Sequence, residues 1–246
     1  MRCVLPVLAA FLLVAGAHDV VAAQVLRVGS DVAYPPFEFV DEETGEFAGF
    51  DMDLIREVGR RLGMEVEIIN TAWEGIIPGL LAGDYDVVIS AMTITDERAQ
   101  AVDFSDPYFA TGQVIVVRAD DTSVQQPADL TGKVVAVQIG TTGQFAAERI
   151  EGVARIDHYP STPEALLALR LGRADAAVVD ELVAMEEARA NPGTLKVVGT
   201  PFTVEYYGIA IRKGRQELLR SINRTLAQIK ADGTYDELYA KWFGSQ

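Results

Sequence analysis

A β-branched run, Asp86-Val87-Val88-Ile89, leads straight into Ser90-Ala91-Met92-Thr93-Ile94-Thr95-Asp96-Glu97-Arg98. The run reads as a buried strand over 86–90, and Thr95-Asp96 as the start of a short helix over 96–102. Hydroxyls, backbone N–H groups and one guanidinium therefore converge where a strand ends. That chemistry suits a small carboxylate. Arginine holds a carboxylate through two parallel N–H···O bonds, and a helix start favours negative charge.

Few residues could do covalent chemistry. Val4 to Ala15 is almost wholly apolar, follows Met1-Arg2, and is succeeded by Val21-Ala22-Ala23. This reads as a secretory signal peptide over 1–23, so that Gln24 begins the mature chain. Its removal takes away Cys3, the only cysteine, and His18, leaving His158 as the one histidine. No Cys–His pair, Ser-His-Asp triad, HExxH or His/Cys metal set can be assembled. No GxGxxG or GxxxxGK[ST] is present to cradle a nucleotide. The chain carries 36 acidic and 21 basic residues, a formal charge of −15. That argues against nucleic acid and anionic membrane surfaces as partners.

Positioning these residues requires alternating strands and helices. Strand patterns at 25–28, 65–69 and 86–90 alternate with helical ones at 53–62, 76–82 and 96–102. Asp51 or Asp53 is expected to cap the first helix. Pro78 is tolerable only in the first turn of the second. After a β-branched strand at 113–118 the rhythm restarts, with strands at 133–138, 155–159, 176–179, 195–198 and 208–211. Helices follow Gly140-Thr141-Thr142-Gly143, the capping box Ser161-Thr162-Pro163-Glu164, and Asp180. Two helices close the chain at 216–230 and 235–242. Two βα series predict an α/β protein of two lobes, each a mostly parallel sheet flanked by helices. Residues 107–113 and 202–207 are the expected crossings. In such sheets ligands lie beyond the carboxyl ends of the strands. Asp31, Ser90, Gln138 to Thr142 and Asp180 all fall there.

At these residues the chain resembles the polar amino-acid family of bacterial periplasmic solute-binding proteins, family 3. Tyr34-Pro35-Pro36-Phe37-Glu38-Phe39, Gly49-Phe50-Asp51-Met52-Asp53-Leu54, Thr93-Ile94-Thr95-Asp96-Glu97-Arg98 and Asp103-Phe104-Ser105-Asp106-Pro107-Tyr108 match its blocks in order. So do Val137-Gln138-Ile139-Gly140-Thr141-Thr142, Gly233-Thr234-Tyr235 and Lys241-Trp242-Phe243-Gly244. The resemblance implies a Venus-flytrap fold with lobe 1 over 24–112 and 203–246 and lobe 2 over 113–202. It implies a monomeric periplasmic protein, without cofactor, that delivers a free L-amino acid to an ABC-type permease.

The ligand residues it implies are Asp31, Tyr34, Trp73, Ser90, Ala91, Met92, Thr93, Arg98, Gln138, Thr141, Thr142 and Asp180. Arg98 would clamp the α-carboxylate, with N–H groups or hydroxyls of Thr93 and Thr142. Asp180 would take the α-ammonium with the Ser90 carbonyl and a Thr93 oxygen. Tyr34 and Trp73 would stack on the side chain, and Asp31 and Gln138 would meet its polar end. Glu38, Asp51, Asp53 and the pair Asp103 and Asp106 read as structural. Asp31 is then an extra carboxylate in a dry site, which a cationic side chain would balance. Arginine is favoured over glutamine. The competing enzymatic reading is a dehydratase acting on a cyclic carboxylate, with Asp31 as the acid.

Overall fold

A computed structural model describes residues 24–244. The expected signal peptide lies outside them. Among the described residues no helix is long and apolar enough to cross a membrane.

The chain opens with β1 (Gln24–Ser30), a small hairpin of β2 (Phe39–Val40) and β3 (Phe47–Ala48), and α1 (Phe50–Leu62). Next come β4 (Met64–Asn70), α2 (Trp73–Ala82), β5 (Val87–Val88), α3 (Asp96–Ala101) and β6 (Val102–Phe104). β7 (Phe109–Thr111) crosses to the second lobe, which holds β8 (Gln113–Arg118), β9 (Val134–Gln138), α4 (Thr142–Glu148) and β10 (Arg155–Tyr159). It continues through α5 (Thr162–Arg170), β11 (Ala176–Asp180), α6 (Glu181–Ala190) and β12 (Leu195–Val198). β13 (Glu205–Tyr207) returns to β14 (Ala210–Arg212), α7 (Gln216–Ala231) and α8 (Thr234–Phe243).

The first sheet runs β4-β1-β5-β14-β6 and the second β10-β9-β11-β8-β12. β1 pairs in parallel with β4 and β5, as β9 does with β10 and β11. An antiparallel strand stands fourth in each sheet, β14 in the first and β8 in the second, with β6 and β12 beyond it. The fold is thus two α/β lobes of matching strand order. β7 and β13 pair antiparallel between them, Phe109 opposite Tyr207 and Thr111 opposite Glu205. An aromatic cluster anchors the first-lobe ends of these crossings. Phe37 meets Phe109 at 5.0 Å and Tyr207 at 5.3 Å, both edge to face, and Phe109 lies 5.3 Å from Phe243 of α8. Edge-to-face rings add to the gain from area burial.

Local chemistry explains most boundaries. Thr95, Thr141 and Ser161 accept from the backbone N–H three residues on and so cap α3, α4 and α5. Two expectations are corrected. α2 starts at Trp73, which puts Pro78 at its sixth residue and not in the first turn. The missing N–H deprives only the Glu74 carbonyl, and Glu74 and Pro78 are both solvent-exposed. α1 begins earlier than expected, with Gly49 as its N-cap and no side chain capping it. A Cβ on Gly49 would stand 2.1 Å from the Phe37 carbonyl oxygen, at a φ of 127°. Asp51 and Asp53 therefore have other work. Asp53 accepts from Lys241 Nζ at 2.6 Å and Trp242 Nε1 at 2.8 Å, tying α8 to α1.

Asp51 is fully buried and accepts from the Ala91 N–H at 2.8 Å and the Tyr108 hydroxyl at 2.6 Å. Ala91 has φ 42°, the left-handed region that a residue with a Cβ rarely enters. The Asp51 carboxylate thus holds a strained turn in place. Asp51→Ala should leave two buried donors unpaired and destabilise the protein by about 2–4 kcal/mol, read as a lower urea midpoint. An unchanged midpoint would contradict this role.

Candidate functional site

A cavity with about 340 Å³ of empty volume lies between the lobes. It is lined by Asp31, Tyr34, Glu38, Trp73, Ser90, Ala91, Thr93, Arg98, Gln138, Thr141, Thr142 and Asp180. Eleven of the twelve residues expected from sequence are among them. Met92 is not. Its side chain is fully buried in the first lobe's core, among the cluster that holds Ile76, Leu80 and Tyr85. The turn at Ala91 brings Ala91 itself to the cavity wall and sends Met92 inward.

The first lobe sets its residues through a relay. The Asp31 N–H donates to Ser90 Oγ at 3.0 Å, and the Ser90 hydroxyl donates to Glu38 Oε1 at 3.0 Å. Glu38 is thereby a wall of the cavity as well as a structural group. Burial pushes its carboxyl well above the usual carboxylate range, and the neighbouring Asp51 adds to this. The other oxygen of Glu38 and the free oxygen of Asp51 are both buried with no further partner. Burial and proximity both disfavour ionising the two acids together.

Arg98, 8 % exposed, follows directly from the cap of α3. Its Nη1 donates to the Thr93 carbonyl at 2.8 Å and Nη2 to the Gly140 carbonyl at 3.1 Å. The guanidinium lies over the Trp73 ring, 5.0 Å from its centre. Burial lowers its pKa, opposed first by Asp180 and then by Glu205.

The second lobe answers across the cavity. Gln138 Nε2 donates to Asp31 Oδ2 at 3.3 Å, while Thr162 donates to Gln138 Oε1 at 2.8 Å and fixes the amide. Burial raises the Asp31 carboxyl, against the Gln138 bond and the Trp73 backbone N–H beside it. Asp180 is the N-cap residue of α6 by position, but its side chain makes no capping bond. It turns into the cavity, where it accepts from the Tyr34 hydroxyl and, at 3.1 Å, from Gln113 Nε2. Burial, and next the nearby Glu205, push it up to about 6. Gln113 and Glu205 were not expected from sequence. Their signal was a polar side chain at the edge of an apolar strand and a carboxylate within an aromatic crossing.

The lobes thus touch through Tyr34–Asp180, Asp31–Gln138 and Arg98–Gly140. Every one of these contacts pairs a polar group of one lobe with a polar group of the other, around a common cavity. The family model of bacterial extracellular solute-binding proteins, family 3, matches residues 26–245. The chain belongs to that family. Among its relatives, the L-cystine-binding protein TcyJ of Escherichia coli K12 is 36 % identical over 89 % of this chain and 83 % of the relative. Other relatives are named as histidine-, arginine- and glutamine-binding proteins. An ancestral arginine-binding protein bound to glutamine superposes with a TM-score of 0.87 at 45 % identity, over 91 % of this chain and 100 % of that one. An ancestral amino-acid-binding protein described as a precursor of cyclohexadienyl dehydratase gives 0.84 at 46 %, over 89 % and 95 %.

Proposed function

We propose that this family 3 protein is the extracytoplasmic substrate-binding component of an amino-acid ABC transporter and takes a cationic amino acid, arginine first, between its lobes. The observation that carries the choice is the charge of the wall. Asp31, Glu38 and Asp180 face the cavity, and Arg98 is the one cation among the lining residues. A zwitterion's carboxylate pairs with Arg98 and its ammonium with Asp180. Asp31 still needs a positive partner in a poorly hydrated site. A guanidinium supplies it and can lie between the rings of Tyr34 and Trp73.

Glutamine is the alternative in the same class, since its amide can donate to Asp31, and one of the similar ancestral proteins holds glutamine. Calorimetric titration with the common L-amino acids separates the two. Arginine should bind most tightly. Asp31→Asn should weaken arginine by about 30-fold, the loss of a buried partner of a charged group, while leaving glutamine nearly unchanged. Tight glutamine binding with no arginine heat would overturn the preference. Turnover of prephenate or arogenate would instead support the dehydratase reading.

A further inference from the structure

The crossings carry a buried carboxylate that the reading above leaves unused. Glu205 opens β13 and is 8 % exposed. It is not part of the cavity wall, yet it stands behind two residues that are. Its Oε2 accepts from the Thr93 hydroxyl at 2.9 Å and from the Thr142 hydroxyl at 2.7 Å. It also accepts from Gln113 Nε2 at 3.3 Å, and its Oε1 accepts from the Thr203 hydroxyl at 2.8 Å.

A hydroxyl has a single proton. The two oxygens lie 3.4 Å from each other but nearer to Glu205; with both protons directed at the carboxylate they offer a ligand only lone pairs. Gln113 Nε2, which lies 3.3 Å from Thr142 Oγ1 and 3.1 Å from Asp180 Oδ1, belongs to the same network. The family resemblance implied N–H groups or hydroxyls of both residues as helpers of Arg98 with a carboxylate, and a Thr93 oxygen beside the α-ammonium as well. Their orientation suits an ammonium.

The two hydroxyls also come from different lobes. Thr93 precedes α3 in the first, and Thr142 begins α4 in the second. Glu205 sits on a crossing, opposite Thr111, and takes donors from both sides: Thr93 from the first lobe, Thr142 and Gln113 from the second. In this arrangement of the lobes Glu205 Oε2 thus joins a hydroxyl of the first lobe to one of the second.

We propose that Glu205 is a positioning residue of the site: it holds the Thr93 and Thr142 hydroxyls as acceptors for the ligand's α-ammonium and fastens the lobes together as they close. The first half rests on the amino-acid reading; the second does not. A glutamine at 205 lacks the charge, and its amide N–H₂ can donate to a hydroxyl and reverse it.

The test compares arginine with 5-guanidinopentanoate, which lacks only the α-amino group, on the full chain, wild type and Glu205→Gln. Arginine affinity should fall about ten-fold or more, as for one lost hydrogen bond to a charged group. The analogue should change less than about two-fold by the same reasoning. Thr142→Val, which keeps the shape, should show the same bias, and the double variant should lose less than the sum. Equal losses for both ligands, or none, would overturn the positioning role. For the ligand-free chain, dyes on Val40→Cys and Leu171→Cys, exposed on opposite lobes, report closure. Glu205→Ala should lower the closed fraction, and an unchanged fraction would overturn the fastening role. If wild type binds neither ligand, the amino-acid reading and with it the ammonium role fail, while the dye measurement still decides the fastening.

Discussion

Asp180→Asn is expected to weaken arginine binding by about 100-fold or more and to remove most of its dependence on acid pH. The carboxylate faces the cavity without capping α6 and is held by Tyr34 and Gln113. It titrates near 6 because it is buried and lies close to Glu205. An ammonium requires the ionised form, so binding lowers this pKa and releases a proton. By linkage, affinity should be level above pH 7 and fall as pH drops through 6. The loss from pH 7 to pH 5 should be about ten-fold. Titrations across this range in wild type and Asp180→Asn check the claim. A variant that keeps both the affinity and the slope would refute it. Small-angle scattering adds a second reading, since without Asp180 arginine should no longer compact the molecule.

Arg98→Lys is expected to cost about 30-fold or more in affinity, although the charge is kept. The guanidinium reaches the Thr93 and Gly140 carbonyls on different lobes and lies over the Trp73 ring. A lysine ammonium cannot hold both carbonyls in that geometry and still present a two-pronged face to a carboxylate. Isothermal titration should show the loss mainly in enthalpy, with circular dichroism unchanged. Near-native affinity would mean that Arg98 is an inter-lobe tie and not the carboxylate's partner.

Much of this architecture was legible in the residues. The β-branched run 113–118 is a strand at those bounds, and Thr95 and Ser161 act as the caps their types suggested. Short-range rules suffice there, because each cap closes a bond within three residues. The failures all involve distance. Asp51 reads as a cap from its neighbours, but its partners are Ala91 and Tyr108. The positive φ of Ala91 has no signature in an alanine, and it decides that Met92 faces the core. Glu205 finds its donors 63 and 112 residues away, beyond the reach of any spacing argument. Pro78 sits deeper in its helix than its neighbours predict, because only tertiary exposure shows that the deprived carbonyl is free to meet water.

The place of β14 in the first sheet has a bearing on synthesis. It lies between β5 and β6 and separates them. A nascent chain that has emerged only as far as Thr200 already contains every strand of the second sheet, β8 through β12. The first sheet at that moment lacks its fourth strand, which leaves β5 and β6 with unpaired edges. The second sheet is therefore complete in one continuous stretch of chain, and the first closes only when β14 arrives.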